Sequence, residues 1–171
     1  GVAYSYLKKF NKSEYYYNKS FTLDPNDEKL KKNYAYLLLA LQRYKEAWKW
    51  HDGRLKLDEF IIKNSSLNNV KDKLWKGEKL NKKNPILVMR EQGVGDEILF
   101  ASMYPDLIQK YKNIKIETEP RLLSLFQRSF KAKDIFVPFL TYSINKRKLK
   151  QFETIIYAGS LGRLFRNSLA D

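Results

Sequence analysis

Eight residues, Arg90-Glu91-Gln92-Gly93-Val94-Gly95-Asp96-Glu97, gather three carboxylates around a Gly-x-Gly step. Three kinds of chemistry fit such a stretch. Glycines let a backbone approach a phosphate closely and permit positive φ. A carboxylate beside a neutral hydroxyl can take its proton as a general base. An aspartate in the first turn of a helix can also do no more than cap it. The phosphate option fits worst. A dinucleotide loop needs a third glycine, but Ile98 and Leu99 follow instead, and the Lys-Ser/Thr of a P-loop is missing. Asp96 and Glu97 would also repel a pyrophosphate, with Glu91 just before the turn. A sugar or alcohol hydroxyl would not be repelled. Asp96 is therefore the candidate base, and Glu91, Gln92, Gly93, Val94 and Gly95 are the candidates for holding a substrate beside it. The capping role competes for the same Asp96 carboxylate and stays open at this point.

The surrounding pattern places this stretch at a strand-to-helix turn. ILVM (86–89) is a continuous apolar run, as in a strand buried on both faces. IKIET (114–118), DIFVPF (134–139) and TIIYAG (154–159) read as three more strands. DEILFASMYPDLIQKY carries helical spacing that Pro105 should kink or end. PRLLSLFQRSF places Pro120 in a first helical turn, and SLGRLFRNSL opens another helix. Alternating strands and helices predict an α/β fold with a parallel, Rossmann-like sheet over 86–171. In such a sheet ligands bind beyond the carboxyl ends of the strands, where the Asp96 turn lies. About four strands are fewer than a doubly wound domain wants, so this sheet is expected to be truncated.

The first 60 residues differ. Small residues at Gly1, Ser13 and Ser20 alternate with Tyr4, Phe10 and Tyr17. Moving on by 34 residues, Ala35 answers Gly1, Leu38 answers Tyr4, Tyr44 answers Phe10 and Ala47 answers Ser13. Pro25 ends one helix and Asp27 can cap the next. That spacing resembles a tetratricopeptide repeat, and the chain is expected to begin inside a longer array whose usual role is to hold a protein partner. The span 61–85 is polar and basic and reads as a connector, although its LWKGEKL segment suggests docking on a neighbouring surface. Trp48 and Trp50 are expected to pack the last repeat helix against the α/β part. His51 reads as a packed or surface residue rather than a catalyst.

Composition narrows the classes. The chain has no cysteine and one histidine, which excludes disulfides, thiolate zinc and multi-histidine metal sites. The net charge of +14 is spread along the chain and carried by 25 Lys against 8 Arg. Base and phosphate recognition leans on arginine, so a nucleic acid is not the expected partner, while anionic ligands and membrane surfaces stay open. No apolar run approaches the roughly 20 residues of a membrane span, and a cytoplasmic protein is the default expectation.

RYKEAWKWHDGR, LWKGEKL, ILVMREQGVGDEILFASMYPDL, IETEPRLLSLFQRSF and GSLGRLFRNS, in that order, resemble a bacterial family. It joins tetratricopeptide repeats to a GT-B glycosyltransferase-like domain similar to the heptosyltransferases. The resemblance covers nearly the whole chain, and EQGVGDEILFA is its most specific part. It implies that this part is the acceptor-binding N-terminal half of a GT-B fold. Asp96 then corresponds to the aspartate thought to be the base in related heptosyltransferases, whose turn lacks the Glu91-Gln92 prefix. The resemblance further implies metal-independent transfer, in keeping with the absence of an Asp-x-Asp pattern. It implies no cofactor in this fragment and a nucleotide-sugar donor for the full-length protein, held by a C-terminal half. This fragment alone is then expected to be inactive. A catalytically inactive scaffold attached to a tetratricopeptide interaction module is the alternative.

Overall fold

The structure, a computed structural model, describes residues 1–57 and 70–170. The chain divides into two compact units, Gly1–Lys63 with Arg166–Asp171, and Asn64–Phe165. Part of the expected connector, 61–69, and the last residues of the repeat span, 58–60, lie outside the described residues.

The first unit is helical: α1 (Val2–Tyr6), α2 (Phe10–Leu23), α3 (Glu28–Ala40) and α4 (Tyr44–His51). Each helix packs on the next. Pro25 lies just past α2, and Asp27 accepts hydrogen bonds from the amides of Lys29 and Leu30 at 2.8 and 3.0 Å. The small residues sit where bulk would not fit. Ser13, Ala35 and Ala47 are wholly buried, and a Cβ on Gly1 would come within 2.8 Å of the Tyr17 ring.

The backbone itself repeats. Helices α1 and α3 end 34 residues apart, and so do the starts of α2 and α4. After each first helix one residue, Lys8 (φ 55°) or Gln42 (φ 60°), turns left-handed. The Lys8 and Lys9 amides donate to the carbonyls of Ser5 and Tyr4, and those of Gln42 and Arg43 to Leu39 and Leu38, at 2.9–3.0 Å. Both are Schellman caps, which satisfy carbonyls orphaned at a helix end.

The Trp50 ring packs on Phe21 at 5.3 Å and Tyr34 at 6.3 Å, inside the helical unit.

The second unit is α/β, with β1 (Ile86–Met89), β2 (Ile114–Thr118), β3 (Phe136–Pro138) and β4 (Thr154–Tyr157) in one parallel sheet of order β3-β2-β1-β4. All four residues of β1 are buried, as its unbroken apolar run predicts. Its helices are α5 (Val94–Ala101), α6 (Tyr104–Lys110), α7 (Pro120–Ser129), α8 (Lys146–Leu149) and α9 (Gly162–Phe165). Pro105 does end the first helical stretch: α5 stops at Ala101 and Pro105 sits in the first turn of α6. Ile86, Val88, Ile116, Phe136 and Ile156 form the sheet side of a core closed by Leu107, Leu122, Phe126 and Phe165. Tyr104, Phe126, Phe130 and Phe136 meet with ring centroids 5.4–5.9 Å apart. LWKGEKL docks on the open edge of β4. Leu74 bridges Ile155 in parallel and the Trp75 amide donates to the Ile155 carbonyl at 2.8 Å.

Candidate functional site

From β1 the chain moves to β2 and β3 on one side, then crosses back to β4 on the other. The switch point therefore lies between β1 and β4, and in open α/β sheets a crevice forms there at the carboxyl ends. Met89 pairs with Tyr157, so the loops after them, Arg90–Gly93 and the 3-10 turn Ala158–Leu161, stand side by side. The Gly-x-Gly stretch sits at this point.

The turn is not built as its glycines suggest. Gly93 is extended (φ −92°, ψ 174°) and is the N-cap of α5, which already begins at Val94. Gly95 is helical. The left-handed residue is Gln92, with φ 61°. What the glycines provide is room: a Cβ on Gly93 would touch only the Asp96 carboxylate at 3.4 Å, and one on Gly95 would meet nothing within 4 Å. Asp96 is the third helical residue rather than the N-cap, and its Oδ2 accepts from the Gly93 amide at 3.1 Å. It is half-buried, and among the described residues only Oδ2 is engaged, so capping uses one oxygen of the carboxylate.

Glu97 lies with Asp96 in the first turn of α5, as expected, but the two carboxylates point apart. Consecutive helical residues project about 100° apart, and Glu97 turns inward. It is wholly buried, and Oε1 accepts from the Thr118 hydroxyl and, at 2.9 Å, from the Glu119 amide. Oε2 accepts from Arg90 Nε at 2.8 Å, and the same guanidinium lies 3.4 Å from Glu119 and 5.0 Å from the Phe139 ring centre. The Glu97 charge is therefore compensated locally, and only Asp96 among the acids of this turn opposes an anion at the helix end.

Glu91 is buried too, and its Oε1 accepts from the Gly159 amide at 2.5 Å, linking the β1 and β4 loops across the switch point. Glu117, at the carboxyl end of β2, repeats the device. Its Oε1 accepts from the amides of Tyr142 and Ser143 at 2.6 and 2.8 Å. Three buried glutamates therefore tie neighbouring loops along the carboxyl rim. The Tyr104 hydroxyl lies under this rim. Burial, with the charges of Glu97 and Glu91 adding and Arg90 opposing, pushes its pKa well above the usual tyrosine value.

Of the residues expected at the site, Gln92, Gly93 and Gly95 are exposed in the turn and Asp96 is half-buried there, whereas Val94 packs on the core and Glu91 is built into the scaffold. Arg90, Glu117 and Thr118 were not singled out by the sequence. Arg90 had a signal, as a cation directly after a strand buried on both faces. His51 belongs to the helical unit. It is buried with Nδ1 3.1 Å from Arg54 Nη1, and burial followed by the Arg54 charge holds its pKa well below the ordinary histidine value. Among the described residues no group of acids and histidines is arranged to hold a metal ion, and no helix is long and apolar enough to cross a membrane.

The chain is similar to Protein FlbA of Caulobacter vibrioides, with 31% identity over 99 residues. The matched part is 56% of this chain and 16% of FlbA, so the chain spans about a sixth of that relative. No protein-family model matches the chain, and no solved structure matches it.

Proposed function

We propose that this chain is part of a glycosyltransferase, carrying the acceptor-binding side of a GT-B-like fold preceded by tetratricopeptide-type hairpins. Asp96 takes the proton of an acceptor hydroxyl, which attacks the anomeric carbon of a nucleotide-activated sugar, and the nucleoside diphosphate leaves. The donor is held by a further Rossmann-like half of the full-length protein. The observation that carries the reading is the Asp96 carboxylate, half-exposed after β1 at the switch point, beside the open space over Gly95. One oxygen is engaged with the Gly93 amide and fixes the other. In the full-length protein, Asp96→Asn keeps an oxygen for that amide and removes the base. Transfer from a nucleotide sugar should fall by about 10²–10⁴-fold with the melting temperature nearly unchanged. Transfer at the parent rate would end the assignment.

A second reading is favoured by the 34-residue backbone repeat of the helical unit. In it the protein is an interaction module, and the α/β unit is a scaffold without activity. Full-length protein that turns over no nucleotide sugar, yet loses a protein partner when Tyr6 and Tyr36 on the exposed faces of α1 and α3 become alanine, would favour it.

A further inference from the structure

A groove of about 810 Å³ opens on the α/β unit away from the Asp96 turn. Its lining comes from the segments that lead into β1 and β2 and from α9, which follows β4. That volume is in the range of small-molecule sites. Lys79, Lys82, Lys83 and Lys110 line it, with Arg163 on its wall, and Glu78 is the single acid among the lining residues. The Glu78 Oε2 is engaged with the Lys76 amide at 2.9 Å. Like charges gathered in a concavity repel one another, so the arrangement is favourable only toward an anion.

The wall is built, not incidental. Arg163 lies over the Trp75 ring at 5.4 Å and donates to the Lys76 carbonyl at 3.0 Å. The Trp75 indole N–H is held by the Glu78 carbonyl at 2.8 Å. Gly77 adopts φ 105°, and a Cβ there would fall on the Arg163 guanidinium. Glycine thus serves both the backbone turn and the passage of the guanidinium to the groove. Lys110 extends over Tyr111 and Phe165, 5.7 and 5.5 Å from the ring centres, which keeps its ammonium at the rim.

We propose that this groove binds the polyphosphate group of a small molecule, at a site separate from the Asp96 turn. One phosphate can engage one or two of these cations, and a chain of two or three phosphates is needed to meet the set. Concavity favours such a ligand over a flat membrane or a duplex.

The test is calorimetric titration of the whole chain at about 150 mM salt with inorganic tripolyphosphate, pyrophosphate, adenosine diphosphate and orthophosphate. Tripolyphosphate should bind clearly tighter than orthophosphate. Adenosine diphosphate tighter than pyrophosphate would identify a nucleotide, and equal binding a bare polyphosphate. The triple variant Lys82→Ser, Lys83→Ser, Lys110→Ser, all exposed positions, should weaken tripolyphosphate by at least about tenfold, as expected when several charge-assisted contacts are lost, with an unchanged melt. Asp96→Asn should leave this binding as it is. The proposal is overturned if the triple variant binds as tightly as the parent, if Asp96→Asn removes the binding, or if the parent ignores tripolyphosphate while binding phosphatidylserine vesicles or duplex RNA.

Discussion

Arg90 holds the electrostatics of the rim together. It is the cation that compensates the wholly buried Glu97, and it bridges to Glu119. Removing one partner of a buried pair strands the other, at a typical cost of about 3–5 kcal/mol. Arg90→Ala should therefore destabilise the protein by about that much in urea unfolding, while Arg121→Ala, an exposed partner of Glu119, should change it by under about 1 kcal/mol. Gly95→Ala is expected to go the other way. The new Cβ meets nothing, so the free protein should gain about 0.5–1 kcal/mol from helix propensity. If an acceptor lies over Gly95 as proposed, the same change should raise KM in the full-length protein. His51 gives a pH prediction. Its folded pKa is depressed, so below about 6.5 the unfolded chain binds a proton that the folded chain refuses. Stability then falls on acidification from that pH downward, by up to about 1.4 kcal/mol per unit. Urea midpoints between pH 7 and pH 5 should decline more steeply for the parent than for His51→Gln.

At the scale of elements, the caps at Lys8 and Gln42 put non-glycine residues in left-handed backbone. Glycine is the residue of least strain there, so Lys8→Gly and Gln42→Gly should each stabilise the helical unit by about 0.5–1 kcal/mol. Neither position is buried, and the two effects should add in thermal melts. Strand identities were legible because β1 and β4 are apolar runs and β2 alternates, each bounded by turn residues. The 34-residue period was legible because Gly1, Ser13, Ala35 and Ala47 stand where helices need small side chains. What was not legible depended on tertiary choice. In IKIET the alternation puts Lys115 and Glu117 on one face, yet Lys115 reaches the Asp134 carbonyl near the surface while Glu117 is wholly buried against two loop amides. Asp96 and Glu97 are chemically alike in sequence, and only the helix phase sends one to solvent and the other to Arg90. The Gly-x-Gly step does not supply the left-handed residue its glycines suggest, since that turn falls on Gln92 and the glycines leave open space.

On the scale of the molecule, the two compact units use different logic. The helical unit is made of sequence-adjacent contacts, α1 on α2, α2 on α3 and α3 on α4. The α/β unit pairs β1 with β4 across about two thirds of its chain, Ile86 with Thr154. Strand β1 is flanked on both sides, whereas β3 has three residues at the edge. Amide exchange should accordingly be slowest at Ile86–Met89 and its partners in β2 and β4, and distinctly faster at Phe136 and Val137. Equal protection of β3 and β1 would contradict the sheet order.

The glutamate struts at the carboxyl rim have a mechanical consequence. Glu91 joins the loops after β1 and β4, Glu97 joins α5 to the end of β2, and Glu117 joins β2 to the loop before α8. A push on any one of these loops is transmitted to the next, so the rim behaves as a braced ring rather than as separate flaps. If an acceptor binds there as proposed, it meets a surface already braced by these struts.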